Sequence, residues 1–374
     1  MRWIKPSFLF LCVNIIQKTM KIHNFSAGPG ILPAEVLQEA AQGVLNYQNT
    51  GLSLIEMSHR GPEFVDVMDQ AVALVRELLN LSDEYDVIFL QGGASLQFYM
   101  APLNLLSSNG YAAYLDTGTW ASNAIKEAKR VGKIEVIGSS KEKNYTYLPA
   151  YSVPSDADYL HYTSNNTIYG TQFQSIPECE IPLVCDMSSD IFSKPIDASK
   201  FSMIYAGAQK NMGPAGTTLV IVKKEMLGKT GRSLPTMLDY SVHIDKESMF
   251  NTPPVFPIYV SMLTLKWLKQ NGGLPWIGEI NRQKRDCFYE ALDANPLFKG
   301  TVEPSVRSWM NATFLLNDER MESAFEALLN ERGISGLKGH RSVGGYRASM
   351  YNALPLDSVK VLTQAMNDFA QQHG

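Results

Sequence analysis

Positive charge is not in surplus in this 374-residue chain. Lys and Arg number 33 against 37 Asp and Glu, a formal net charge of −4. With no basic run beyond short local clusters, the chain lacks the electrostatic footprint that binding to nucleic acid requires. Cysteine is scarce: Cys12, Cys179, Cys185 and Cys287 show no C-x-x-C spacing, which leaves reduced thiols as the expectation. The six histidines include no H-x-x-x-H pair and no Cys/His cluster, so no dedicated metal site is expected. Long hydrophobic runs are missing as well; the run Phe8 to Ile16 is too short to cross a bilayer. Internal repeats and low-complexity segments are absent. The remainder, 45% hydrophobic and 19% charged, suits a soluble globular chain long enough for two domains.

What is present centres on one lysine. Residues 201–218, FSMIYAGAQKNMGPAGTT, carry Lys210 alone among basic residues. Phe201 to Ala206 reads as a short buried strand before a Gly-containing turn, which puts Lys210 on the loop leaving it. The small residues around it, Ala206, Gly207, Ala208, Gly213, Ala215 and Gly216, leave room for a flat cofactor. Desolvation there would lower the amine's pKa and favour the free base that a Schiff base needs. Alone, a lysine in a turn reads more simply as a surface charge.

Two companions change that balance. In VCDMSSDIFSKPID (184–197), Asp186 ends the apolar stretch Ile181 to Cys185. By itself it reads as a helix cap or ion-pair member, but a carboxylate there also suits a pyridinium nitrogen. In VIFLQGGASLQFYMAPLNLL (87–106), a strand meets a Gly-Gly turn and a helix predicted to begin near Ser95. Free N–H groups at a helix start, backed by the helix dipole, suit a phosphate; the amides of Ala94 and Ser95 and the Ser95 hydroxyl are the expected donors.

The segments SAGPG (26–30), SHRGPEF (58–64), GGAS (92–95), YAGAQKNMGPAG (205–216), FNTPP (250–254) and GHRSVGGYRASMYNALP (339–355) closely resemble the phosphoserine aminotransferase family. That family is class V and of fold type I among pyridoxal phosphate enzymes. The resemblance runs from about Met20 to the C-terminus. It implies an α/β fold: a large domain with a mostly parallel sheet between helices, and a smaller α+β C-terminal domain. Expected boundaries are 34–274 for the large cofactor-binding domain and 275–374 for the small one, with residues 20–33 packing on the latter. The family's sequences characteristically begin near Met20. Residues 1–19 are therefore expected to be an upstream extension, despite Arg2 and Lys5 preceding an apolar run; no small-x-small cleavage site follows it. A cytoplasmic protein with no membrane attachment is the resulting expectation.

The same resemblance assigns the site. Lys210, Asp186 and Trp120 are the implied catalytic residues, Lys210 as Schiff-base anchor and then general base, Asp186 at the pyridinium, Trp120 stacked on the ring. Alone, Trp120 reads more simply as a core residue at a helix start. Ala94, Ser95 and Gln209 resemble the cofactor's phosphate contacts, and Thr167 the hydroxyl on its phenolic oxygen. Asn251 and Thr252 match residues that reach the phosphate from a neighbouring subunit, which implies a homodimer with shared sites. Arg347 resembles the α-carboxylate ligand. His340 and Arg341, joined by His59 and Arg60 from the partner, resemble the site for the substrate's phosphate or the glutamate side chain. The implied reaction is ping-pong transfer of an amino group between L-glutamate and 3-phosphohydroxypyruvate, in serine and, for some members, pyridoxine synthesis. GGAS stands where some relatives have GGGR, a change in local charge only. The alternatives are another class V enzyme: an aminotransferase of different specificity, or a cysteine desulfurase-like lyase, for which Cys179 and Cys287 are the only thiols outside the apolar segments.

Period and composition also predict elements. A helix over 63–80, strands at 86–90, 111–115, 133–137, 158–163, 181–186, 201–206 and 217–223, and a helix at 120–131 imply a mostly parallel sheet covered by helices. Beyond about residue 274, helices at 276–293, 320–332 and 356–371 alternate with extended 309–316 and 345–351.

Overall fold

The computed structural model describes residues 21–341 and 343–374; the readings made for residues 1–19, Cys12 included, lie outside the described residues. After a short strand β1 (His23–Asn24) come α1 (Ala34–Leu45) and α2 (Pro62–Leu79). Helix α2 opens on a proline, whose missing N–H has no partner to lose in a first turn, and closes on Asn80 in the left-handed region (φ 49°). Its Phe64, Val67, Met68, Ala71 and Val75 recur every three or four residues and are buried.

Strands and helices then alternate: β2 (Tyr85–Leu90), α3 (Gly93–Leu105), β3 (Tyr111–Asp116), α4 (Thr119–Ala128), β4 (Lys133–Ser139) and β5 (Leu160–Thr163). A hairpin of β6 (Asn165–Asn166) and β7 (Thr171–Gln172) precedes β8 (Leu183–Asp186), β9 (Met203–Gly207) and β10 (Thr218–Lys223). Seven of these make one sheet, in the order β2-β10-β9-β8-β5-β3-β4. Only β10 is antiparallel to its neighbours; the remaining pairs are parallel. The mostly parallel sheet expected from the sequence is therefore present. Successive side chains alternate between its faces: Phe89, Leu115, Cys185 and Ile204 pack with α2, while Ile88, Tyr114, Val184 and Tyr205 pack towards α3 and α4.

The chain continues through α5 (Tyr240–Asp245), α6 (Val255–Gln270) and α7 (Gly273–Ala294). Helix α6 escaped the sequence reading for a physical reason. Every residue from Ile258 through Leu265 is buried, so no polar face marks a helical period. The last stretch adds β11 (Phe298–Gly300), β12 (Asn311–Leu316), α8 (Glu322–Glu331), β13 (Ile334–Ser335), β14 (Tyr346–Ser349) and α9 (Leu356–His373). Strands β11, β12 and β14 form an antiparallel sheet. Phe25 joins Phe288, Phe314, Phe325 and Phe369 in a separate core, and β1 pairs with β13. Helix α7 spans both cores, with Leu274 and Ile277 in the first and Phe288 and Leu292 in the second.

Candidate active site

In an open α/β sheet the ligand crevice lies beyond the carboxyl ends of the parallel strands, and the candidate residues emerge there. Strand β2 leads into the Gly92–Gly93 turn, β3 into Trp120, β5 into Thr167, β8 ends on Asp186, and β9 leads into Lys210. Residues spread from Gly92 to Lys210 share one edge because these strands run the same way.

Gly92 and Gly93 both take left-handed backbone (φ 91° and 66°), which favours glycine. This reversal starts α3 at Gly93, two residues earlier than predicted. Ala94 and Ser95 thus occupy its first turn, where N–H groups lack intrahelical acceptors and the dipole is positive.

Lys210 is half-buried on the turn after β9. Its Nζ donates to Thr167 Oγ1 at 3.1 Å and stands 6.0 Å from the centre of the Trp120 ring. Burial lowers its pKa and the Arg347 charge adds to that, while Asp186 and Asp190 oppose it. Asp186 is 5% exposed; burial raises its pKa, against the pull of Ser188 and Lys210. Arg347 projects from β14, and its Nη1 donates to the Thr167 carbonyl at 3.1 Å. Burial lowers its pKa too. A cavity of about 290 Å³ opens beside it, lined among others by Tyr169, Thr313, Val343 and Gly344. The structure therefore brings Lys210, Thr167, Trp120, Asp186 and Arg347 together.

The other predicted residues lie further out. Gln209 neighbours Lys210, and its carbonyl accepts the Gly30 N–H at 2.7 Å. His340 and Arg341 sit on the loop before β14. Asn251 and Thr252 precede α6, where the Thr252 carbonyl accepts from Gln91 Nε2 at 2.8 Å. His59 and Arg60 occupy a turn before α2 and make no hydrogen bond with Lys210, Thr167 or Arg347 among the described residues. His59 Nε2 is buried without a partner among the described residues.

The class-V aminotransferase family model matches residues 22–362, nearly the whole described chain. The chain belongs to the class-V aminotransferases. Within that family it is similar to the phosphoserine aminotransferase of Flavobacterium psychrophilum, at 63% identity over 93% of this chain and 99% of the relative. The Parabacteroides distasonis phosphoserine aminotransferase is 54% identical over 95% and 100% of the two chains. Among solved structures, the phosphoserine aminotransferase of Bacillus circulans subsp. alkalophilus matches at a TM-score of 0.91 and 45% identity, covering 95% of this chain and 99% of that one. The PLP-bound enzyme of Trichomonas vaginalis matches at 0.89 and 38%, covering 93% and 100%.

This class-V aminotransferase also has supporting residues that the sequence reading did not single out. Tyr351 donates to the Ala27 carbonyl at 2.6 Å and accepts from Asn311 Nδ2 at 3.1 Å. The Asn352 N–H donates to Asn211 Oδ1 at 2.9 Å, fastening the segment just after the Arg347 strand to the residue after Lys210. Lys284 of α7 is fully buried and donates to the carbonyls of Met350 and Tyr351 at 3.1 and 2.7 Å. Tyr351 and Asn352 lie inside the quoted motif 339–355, so a signal existed for them. Lys284 gave none, because a helical lysine is ordinarily exposed.

Proposed function

We propose that this chain is a phosphoserine aminotransferase, transferring an amino group reversibly between L-glutamate and 3-phosphohydroxypyruvate to give O-phospho-L-serine and 2-oxoglutarate. The observation that carries the reading is the double use of Thr167, whose hydroxyl takes the Lys210 amine and whose carbonyl takes the Arg347 guanidinium.

The residues fit pyridoxal phosphate. The hydrogen bonds to Asp186 fall on Oδ1, which leaves Oδ2 for the ring N–H. Trp120, whose indole N–H is buried without a partner among the described residues, would cover one ring face; Thr167 would meet the phenolic oxygen, and Ala94, Ser95 and Gln209 the phosphate. When bound, the cofactor supplies an electron sink for the pair left as a bond to the amino acid's α-carbon breaks.

The chain's own groups do the rest. Lys210 Nζ removes the α-proton and, with the cofactor bound, would deliver it to the cofactor's exocyclic carbon, a task suited to an amine whose pKa burial has lowered. Arg347 holds the α-carboxylate through its planar fork; its Nε is buried with no partner among the described residues. His340 and Arg341 take the distal anion. His59, Arg60, Asn251 and Thr252 act from the partner subunit of a homodimer, a reading supported by the lack of bonds from His59 and Arg60 to Lys210 or Arg347 among the described residues. A cytoplasmic location suits these small, charged, water-soluble substrates, and both serine and pyridoxine synthesis lie within the reading. A sulfur-transfer activity would need a reactive thiolate, but burial raises the pKa of Cys179 and Cys185, and Cys287 Sγ lies against Thr363 at 3.9 Å.

The test is an absorbance spectrum of the protein with pyridoxal phosphate, then with glutamate, then with 3-phosphohydroxypyruvate. A visible band that glutamate bleaches and the phosphorylated keto acid restores supports the reading. A band that the keto acid fails to restore leaves an aminotransferase of other specificity.

A further inference from the structure

Asp186 has two carboxylate oxygens, and its neighbours treat them differently. Oδ1 accepts the Ser188 backbone N–H at 3.0 Å and the Ser188 hydroxyl at 2.6 Å, while Oδ2 accepts no hydrogen bond among the described residues. Ser188 Oγ in turn accepts the Gly207 N–H at 3.1 Å. A serine hydroxyl has one proton and two lone pairs. With Gly207 occupying a lone pair, the proton points at Asp186. Ser188 is 6% exposed and Asp186 5%, so little water competes for either bond. Gly207 ends β9 three residues before Lys210, and Ser188 therefore fixes the acid against the strand that carries the lysine.

We propose that Ser188 is the positioning residue for Asp186: its amide and hydroxyl together commit Oδ1 and turn Oδ2 towards the ring nitrogen of pyridoxal phosphate. The proposal rests on the functional reading above.

The surroundings leave the serine a second task, keeping Asp186 charged. Burial pushes the acid towards its neutral form, and the Ser188 hydroxyl bond is the largest influence against it, ahead of Lys210. Other titratable groups face the acid without helping. Tyr205, its register partner on β9, and Cys185 on β8 are held neutral by burial. Asp190, on the turn after β8, would add a like charge. On β5, Thr163 pairs in register with Asp186 and does not ionise, and His161 is pushed down to about 3 by burial, so it carries no charge at neutral pH.

The experiment uses the holoenzyme loaded with pyridoxal phosphate. Wild type, Ser188→Ala, which keeps the backbone N–H, and Ser188→Thr, which keeps the hydroxyl, are compared by two readouts. These are the pH of the acid-side transition in the cofactor's visible absorbance, and the cofactor dissociation constant by fluorescence. Loss of one hydrogen bond to a buried charge predicts an upward shift of about one pH unit and roughly tenfold weaker cofactor binding in Ser188→Ala. Ser188→Thr should restore both. If Ser188→Ala does not fold, Ser188→Cys, a weaker donor of similar size, should shift the transition the same way. A transition that stays at the wild-type pH while only the melting temperature falls would overturn the proposal, because packing alone would produce that pattern. A wild-type protein that develops no visible band fails the functional reading itself, an outcome distinct from an unmoved transition.

Discussion

The Lys210 ammonium nitrogen and the Thr167 hydroxyl oxygen lie 3.1 Å apart, while the carbonyl of the same threonine is held by Arg347 at 3.1 Å. One residue thus sets the spacing between the amine proposed to move a proton and the guanidinium proposed to hold the substrate. The two bonds use different atoms, so mutation can separate them. Thr167→Val keeps the carbonyl and removes the hydroxyl. We expect kcat to fall by roughly tenfold, the cost of one hydrogen bond to a charged group, with KM for glutamate nearly unchanged. Steady-state kinetics check this; a rise in KM with kcat intact would contradict it.

Arg347→Lys preserves the charge and loses the fork. A lysine cannot pair with two carboxylate oxygens in one plane, and its shorter reach would abandon the Thr167 carbonyl. KM for both amino-acid substrates should rise by about 10²-fold, and kcat/KM should fall at least as far. Equal KM values for the two enzymes would remove Arg347 from carboxylate binding.

Gly92→Ala tests the phosphate turn. The backbone there has φ 91°, and an added Cβ would lie 2.5 Å from Leu96 Cδ2. Strain of about 1–3 kcal/mol is expected, falling on the first turn of α3. Equilibrium dialysis should show weaker retention of pyridoxal phosphate and urea denaturation a lower midpoint.

Lys284 gives stability a pH dependence. Burial pushes its pKa down to about 7, against about 10.4 for an unfolded lysine. Between these values the unfolded chain binds the extra proton, so stability attributable to this residue rises with pH, by at most about 1.4 kcal/mol per unit. Below about pH 7 the buried site is protonated as well and the slope vanishes. Urea unfolding at pH 7 and pH 9 should therefore show wild type gaining on Lys284→Met as pH rises. A constant difference would mean that the amine does not titrate inside the protein.

Much of the fold was readable because its signals are local. The apolar face of α2, the strand ending at Asp186 and the small residues around Lys210 are properties of consecutive positions. Predicted strand and helix edges fell within a few residues of those observed. For α6 and Lys284 the local signal failed because of tertiary burial. Helix α6 has no polar stripe because it is covered on nearly all sides, and Lys284 gives no sequence sign of being enclosed.

The sequence by itself determined which chemistries were available: an isolated lysine among small residues, an acid closing an apolar strand, a Gly-Gly turn before a helix, and arginines in a distinctive C-terminal motif. Tertiary structure alone decided which atoms meet. Only parallel pairing of β5, β8 and β9 brings Thr167, Asp186 and Lys210 to one edge. Only the packing of β14 against that edge lets Arg347 reach Thr167. The physical reason is that strand register and tertiary packing join residues as distant in sequence as Thr167 and Arg347, 180 positions apart, and no local pattern encodes a distance between them.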